Sequence, residues 1–268
     1  MNRIDRVFVE TRSAGRAALI PFITAGDPDI GTTADLIPEL VEAGADIIEI
    51  GVPHSDPIAE GPTIQAASFR SLEQKTNLDQ ILEICRSARQ LTDAPLILMG
   101  YLNNVLARGE ERFARDCAEA GVDGLIVVDA PYEEAPELQG ACDAHGVHRI
   151  LLVAPTSTPE RVVQIAARSR GFVYCVSSTG VTGARRELPR DLSLLVGRIQ
   201  RVTSTPVCVG FGISTPEQAA TVARLADGVI VGSALVSRIG EAGSPGEAMR
   251  AAREFVGGLA EAVRATRR

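Results

Sequence analysis

Two carboxylates, Glu49 and Glu60, bracket a short stretch of this chain that carries most of its chemical promise. Glu49 sits in the apolar run Ile47-Ile48-Glu49-Ile50, which reads as a buried strand. Glu60 lies eleven residues on, at the far end of Gly51-Val52-Pro53-His54-Ser55-Asp56-Pro57-Ile58-Ala59-Glu60-Gly61-Pro62. The prolines and glycines there call for a stiff, extended loop rather than a helix. One acid in an apolar setting and one in a polar setting would have separated pKa values and separate roles in proton transfer. The competing reading is a salt-bridged Glu49 and a solvated Glu60, since ion pairs also perturb carboxylates.

The elements around this stretch alternate strand and helix. Short apolar runs at Ala18–Ile23, Asp46–Ile50, Leu96–Met99, Leu125–Val128, Ile150–Val153, Phe172–Val176, Val207–Val209 and Val229–Val231 read as eight strands. None alternates with polar residues, as expected of parallel strands buried on both faces. Helical spacing appears between them, for instance at Leu78–Leu91, Arg112–Ala120, Pro159–Ala167, Pro216–Arg224 and Ala248–Val263. A further helix over Ile4–Ser13 precedes the first strand. Eight strand–helix units in about 250 residues predict an α/β fold, a single (β/α)8 TIM barrel spanning residues 1–268. A doubly wound sheet is the alternative, but it usually needs only five or six strands.

The connections after strands two and six are the long ones, and barrel sites are built from such loops. The second, Ser177-Ser178-Thr179-Gly180-Val181-Thr182-Gly183-Ala184-Arg185-Arg186, is small, polar and glycine-rich. It is expected to act as a closing lid rather than as a merely mobile surface loop. After strand seven comes Gly210-Phe211-Gly212-Ile213-Ser214, and after strand eight Gly232-Ser233-Ala234, each leading into a helix. Glycines at helix N-termini let backbone N–H groups approach an anion, so these two loops predict a phosphate site. Tight turns alone would also call for glycine.

Composition excludes several classes. With 45% hydrophobic residues the chain can fill a large core, and its net charge of −7 carries no basic stripe for nucleic acid. Five cysteines are scattered singly, which suits buried thiols in a reducing compartment and argues against a metal site. The charged start Met-Asn-Arg-Ile-Asp-Arg does not read as a signal peptide. No apolar run approaches the ~20 residues that cross a bilayer. A cytoplasmic location, with no membrane partner, is expected.

Pro21-Phe22-Ile23-Thr24-Ala25-Gly26-Asp27-Pro28, the stretch Glu49–Gln65, Leu98-Met99-Gly100-Tyr101, Gly180-Val181-Thr182-Gly183 and the two glycine loops occur in an order that resembles the tryptophan synthase α subunits. The resemblance covers nearly the whole chain. It implies cleavage of indole-3-glycerol phosphate to indole and glyceraldehyde 3-phosphate, and a β subunit partner that holds pyridoxal phosphate in an α2β2 assembly, with no cofactor in this chain. It implies Glu49 as the general acid–base and Glu60 as the group facing the indole N–H. It implies that Phe22, Ile64, Met99, Tyr101, Ile126, Tyr174 and Phe211 hold the indole, that Thr182 closes the lid, and that Gly183, Gly212, Gly232 and Ser233 bind phosphate. The chain departs from the pattern at Glu60, where aspartate is usual, and at His54, where phenylalanine or tyrosine is commoner. His54 is read as an interface or surface residue, and Asp129 as a residue that ties down a loop. A weakly active or non-catalytic activator, a free-standing indole-releasing lyase and a phosphosugar isomerase are the other functions such a chain could serve.

Overall fold

The structure, a computed structural model, describes residues 1–176, 191–210 and 212–267. Helix α1 (Arg3–Ser13) opens the chain, its first turn capped by Asn2, whose side chain accepts from the Ile4 N–H. The strands are β1 (Ala18–Thr24), β2 (Ile48–Gly51), β3 (Leu96–Gly100), β4 (Gly124–Val127), β5 (His148–Arg149), β6 (Leu151–Val153), β7 (Val173–Val176), β8 (Val207–Gly210) and β9 (Gly228–Val231). They lie in the order β5-β4-β3-β2-β1-β9-β8-β7-β6, with every described pairing parallel. Between them run α2 (Ile30–Glu42), α3 (Pro62–Glu73), α4 (Leu78–Arg89), α5 (Leu102–Leu106), α6 (Glu110–Glu119), α7 (Pro136–His145), α8 (Pro159–Arg168), α9 (Leu192–Gln200), α10 (Pro216–Ala223), α11 (Ser233–Glu241) and α12 (Pro245–Ala265).

The sheet closes on itself as expected of a TIM barrel, with one correction to the strand count. The fifth strand, expected at Ile150–Val153, begins at His148 and is interrupted at Ile150. Its first piece pairs with β4 and its second with β7. The Ile150 N–H still donates to Leu125 O at 2.9 Å, so the chain changes partner within one extended run. Nine strand segments therefore build eight barrel positions.

Period-two geometry divides each strand between two cores. On β1, Leu19 and Ile23 join the layer between strands and helices, while Ala18 and Ile20 face the barrel interior with Ile97, Ile126, Ile150, Phe172 and Cys208. Both faces are apolar, which is why the strands showed no alternation in sequence. Helix α1 stops the N-terminal end of the barrel. Ile4, Val7 and Phe8 join the interior cluster, Phe8 meets Phe172 edge-on at 5.9 Å, and Asn2 donates to Asp123 O just before β4. A ligand must therefore enter from the opposite end.

The long connection after β2 is less loop and more helix than its prolines suggested. Residues 52–61 are irregular as expected, but α3 follows at once, with Pro62 in its first turn where a missing N–H costs nothing. Arg70 of α3 makes a two-pronged ion pair with the buried Asp27, at 2.7 and 2.8 Å, and Ser71 donates to Ala25 O at 2.6 Å. These contacts fix α3 to the turn after β1 and so anchor the far end of the Glu60 loop. The second long connection, with the expected lid over Ser177–Arg186, lies outside the described residues.

Candidate active site

The open end of the barrel gathers side chains from β1, β2, β3, β7 and β9 with residues of the loops above them. Phe22, Glu49, Met99, Tyr174 and Ile230 come from strands, and Glu60, Ile64, Gly212, Gly232 and Ser233 from the loops and the helices they lead into. All ten line one pocket.

Glu49 points inward because it occupies the alternate position to Ile48 and Ile50, both of which face the helix layer. Those isoleucines are not what desolvates it; the barrel interior does. Glu49 is 1% exposed, and among the described residues neither carboxylate oxygen has a hydrogen-bond partner. With nothing to stabilise the anion, burial pushes the carboxyl up to about 8. At neutral pH Glu49 is therefore protonated, a proton donor held in an apolar pocket. The expected pH dependence has a definite sign: kcat/KM for a reaction needing this acid falls as pH rises through about 8. A profile whose high-pH limb is flat through that region would show that the proton on Glu49 is not used.

Glu60 is buried as well, which overturns the competing reading of a solvated acid. Burial raises its pKa; hydrogen bonds from Tyr101 and from its own backbone oppose that rise, as does the electrostatic influence of the nearby His54, while Asp129 adds to it. The Tyr101 hydroxyl donates to the Glu60 carboxylate and accepts from the Ala59 N–H at 3.0 Å. Gln65 of α3 donates to Glu60 O at 2.9 Å, fixing the backbone beneath the acid. Burial thus raises both acids, and they differ in their partners among the described residues. Glu49 has none and Glu60 has several.

Among the residues singled out by sequence, Phe22, Ile64, Met99, Tyr174, Gly212, Gly232 and Ser233 line the pocket with the two acids. Tyr101 stands one layer behind, reaching the pocket through Glu60. Ile126 is fully buried in the barrel interior and does not line the pocket; Met99, its register partner on β3, does. Thr182, Gly183 and Phe211 lie outside the described residues. Ile230 was missed, although it sits two residues before Gly232, on the same face of a period-two strand. Asp129 holds a loop as read: its carboxylate accepts from the Leu102 N–H at 2.7 Å, at the start of α5. His54 is half-buried and stacked on Tyr101 rather than simply displayed on the surface.

At the anion end, Gly212 has φ +76, a conformation that favours glycine. Helix α11 starts at Ser233 with Gly232 as its N-cap, and no side chain caps its first N–H groups. Unlike α10, whose first turn is closed by Thr215 accepting from Gln218 N–H, α11 presents its positive end to the pocket.

Comparison with known proteins agrees with this architecture. A family model described as tryptophan synthase alpha chain matches residues 8–264. The chain belongs to the tryptophan synthase alpha chain family. It is 50% identical over 263 residues to the tryptophan synthase alpha chain of Geobacter sulfurreducens, covering 98% of this chain and 99% of that one. It is 53% identical over 236 residues to that of Citrifermentans bemidjiense, covering 88% of each. Among solved structures it is similar to tryptophan synthase from Mycobacterium tuberculosis, with TM-score 0.91 and 42% identity over 98% of both chains. It is also similar to tryptophan synthase subunit alpha from Legionella pneumophila, with TM-score 0.90 and 39% identity over 98% of both. The carboxylate-lined mouth, the barrel and the uncapped α11 thus occur together in a member of the tryptophan synthase alpha chain family. No helix among the described residues is long and apolar enough to cross a membrane.

Proposed function

We propose that this chain cleaves indole-3-glycerol phosphate to indole and glyceraldehyde 3-phosphate by a retro-aldol step, with Glu49 and Glu60 as its catalytic carboxylates. The observation that carries the proposal is Glu49, protonated at neutral pH and unpartnered among the described residues, facing a pocket whose other acid is held by Tyr101. Glu49 protonates indole C3, which turns the ring into an electron sink. The resulting carboxylate then takes the proton of the hydroxyl on the adjacent glycerol carbon. The bond from that carbon to C3 breaks, its electrons return to the ring, and the carbon leaves as the aldehyde. Proton and electron counts balance within the substrate and Glu49, so no step is routed through a cofactor in this chain. Glu60 accepts a hydrogen bond from the indole N–H and stabilises the positive charge that develops on the ring.

Phe22, Ile64, Met99 and Tyr174 supply the apolar and aromatic walls for the indole. The N-terminus of α11, with Gly212 and Gly232, receives the phosphate. The proposal extends to a β subunit carrying pyridoxal phosphate, by analogy with the tryptophan synthases that the chain resembles. It also takes the chain as one domain, since α12 packs on α2, α10, α11 and β1 and so joins the end of the sequence to its beginning. A cytoplasmic location is supported by five buried cysteines spaced singly along the chain.

The test is indole release from indole-3-glycerol phosphate, followed by fluorescence in a chain that has no tryptophan of its own. Turnover is expected from the chain alone and should increase with a β subunit. No release under either condition would refute the proposal, and release that no β subunit alters would confine it to a free-standing lyase.

Glu60 offers a finer check. Shortening it to aspartate withdraws the carboxylate by roughly 1 Å from Tyr101, and a misplacement of that size can cost up to about 10²-fold. Glu60→Asp is expected to leave kcat unchanged or lower it, by about 10-fold where the Tyr101 contact is lost. A rise of about 10-fold, equivalent to roughly 1.4 kcal/mol, would mean that glutamate is a defect here.

A further inference from the structure

His54 is absent from the pocket lining, yet it touches the residue that holds one of the two acids. Its ring stacks on Tyr101 with centroids 4.3 Å apart and planes 29° from parallel. Its Nδ1 accepts from the Asp56 N–H at 3.0 Å, which makes Nε2 the protonated nitrogen of the neutral ring and fixes the ring plane. Tyr101, in turn, is 3% exposed, accepts from Ala59 N–H and donates to Glu60. The ring, the phenol and the carboxylate form one continuous path from a half-buried loop residue to the pocket.

We propose that His54 is a positioning residue for Glu60, acting through Tyr101 by the stack of its ring rather than by its charge. The proposal rests on the lyase reading of this pocket. Its physical basis is the extra side-chain torsion of glutamate compared with aspartate. A longer acid has more rotamers to lose, and must be held by neighbours that are themselves held. Tyr101 can hold Glu60 only while its own ring is fixed. Below, its backbone N–H donates to the Asn104 side chain at 3.3 Å. Above, the face of the ring is covered by His54. Stacked aromatic pairs are also worth more than the area they bury.

Three variants separate the ring from its charge. His54→Phe keeps a stacking face without a titratable nitrogen; the Asp56 N–H that loses its acceptor is exposed and meets water instead. His54→Ala removes the ring, and Tyr101→Phe removes the hydroxyl through which it would act. In steady-state indole release by the full chain, His54→Ala should lower kcat by about 10-fold with a smaller change in KM. His54→Phe should recover kcat to within about 2-fold. In the Tyr101→Phe background, His54→Ala should change kcat by no more than about 2-fold, the non-additivity expected of residues acting in series. Wild-type kcat in His54→Ala, no rescue by phenylalanine, or an undiminished loss in the Tyr101→Phe background would each overturn the proposal.

A second readout needs no turnover. The Ala59 amide, which donates to the Tyr101 hydroxyl, should exchange with solvent about 10-fold faster in His54→Ala and at the wild-type rate in His54→Phe. Unchanged exchange in the alanine variant would sink the clamp by itself. Should the wild-type chain release no indole, the lyase reading fails, and the exchange measurement alone decides whether His54 holds Tyr101.

Discussion

Glu49→Gln is expected to lower kcat for indole release by about 10²–10⁴-fold, the usual contribution of a positioned general acid–base. Glutamine matches the shape of the protonated side chain, so the pocket and its ligand affinity should survive. The same substitution should change the pH dependence of stability in a direction that a purely structural residue would not. In the wild-type chain burial raises the carboxyl from 4.5 to about 8. Between those values the folded chain keeps a proton that the unfolded chain has released. Stability therefore falls as pH rises through this window, by about 1.4 kcal/mol per pH unit at most. Glutamine has no proton to lose. The stability of Glu49→Gln relative to wild type should increase from pH 5 to pH 7, by about 3 kcal/mol if the full shift is realised. Denaturant unfolding at the two pH values measures this, and a pH-independent difference would show that Glu49 is solvated in the folded chain. A variant retaining a tenth of wild-type kcat would remove Glu49 from the mechanism.

Gly51→Ala is the second large effect, and it arises from a single methyl group. A Cβ at Gly51 would stand 2.4 Å from Phe22 Cζ and 2.8 Å from Cε2, closer than carbon atoms can approach. β1 and β2 are hydrogen-bonded neighbours, so the backbone has little room to retreat. The Phe22 ring must turn, and it lines the pocket. Overpacking of this kind costs about 1–3 kcal/mol, and a ring displaced into the substrate's space should raise KM by about 10-fold or more, on the order of 1.4 kcal/mol in binding. Unfolding in denaturant and steady-state kinetics measure the two parts separately. Adding Phe22→Leu to Gly51→Ala makes room for the methyl group and should restore part of both losses, a coupling expected between residues in contact. A Gly51→Ala chain with wild-type KM would show that Phe22 does not bound the substrate's space.

Much of the barrel was legible because short, unalternating apolar runs have few other uses at this length. The run at Ile47–Ile50 was legible for the same reason, and a carboxylate inside it could hardly escape notice. What neighbours Glu49 in space was harder to read. Adjacent isoleucines suggested desolvation by Ile47, Ile48 and Ile50; Ile47 does lie in the barrel interior, whereas the pleat sends Ile48 and Ile50 to the opposite face. The effect was foreseen, and its cause only in part. Ile230 stayed hidden because an apolar residue in a strand reads as core until its register with Gly232 is counted. Helix α3 was masked by the prolines before it, one of which begins it. The interruption at Ile150 leaves no trace in residue type. The stacking of His54 on Tyr101 joins two loops 47 residues apart, and spacing along the chain carries no information about such a contact.

The partner exchange at Ile150 divides the barrel's stiffness unevenly. The hydrogen-bonded ring consists of two arcs, one from β1 to β5 and one from β1 through β9 to β6, and they share β1. At β1 the arcs are continuous, because one strand of seven residues bonds to both neighbours. Diametrically across the ring they meet at two short pieces with a break between them. The strands that supply the pocket are β1, β2, β3, β7 and β9, while β4, β5 and β6, which flank the break, supply none. The pocket thus stands on the side of the ring where the hydrogen bonding runs unbroken, away from the break.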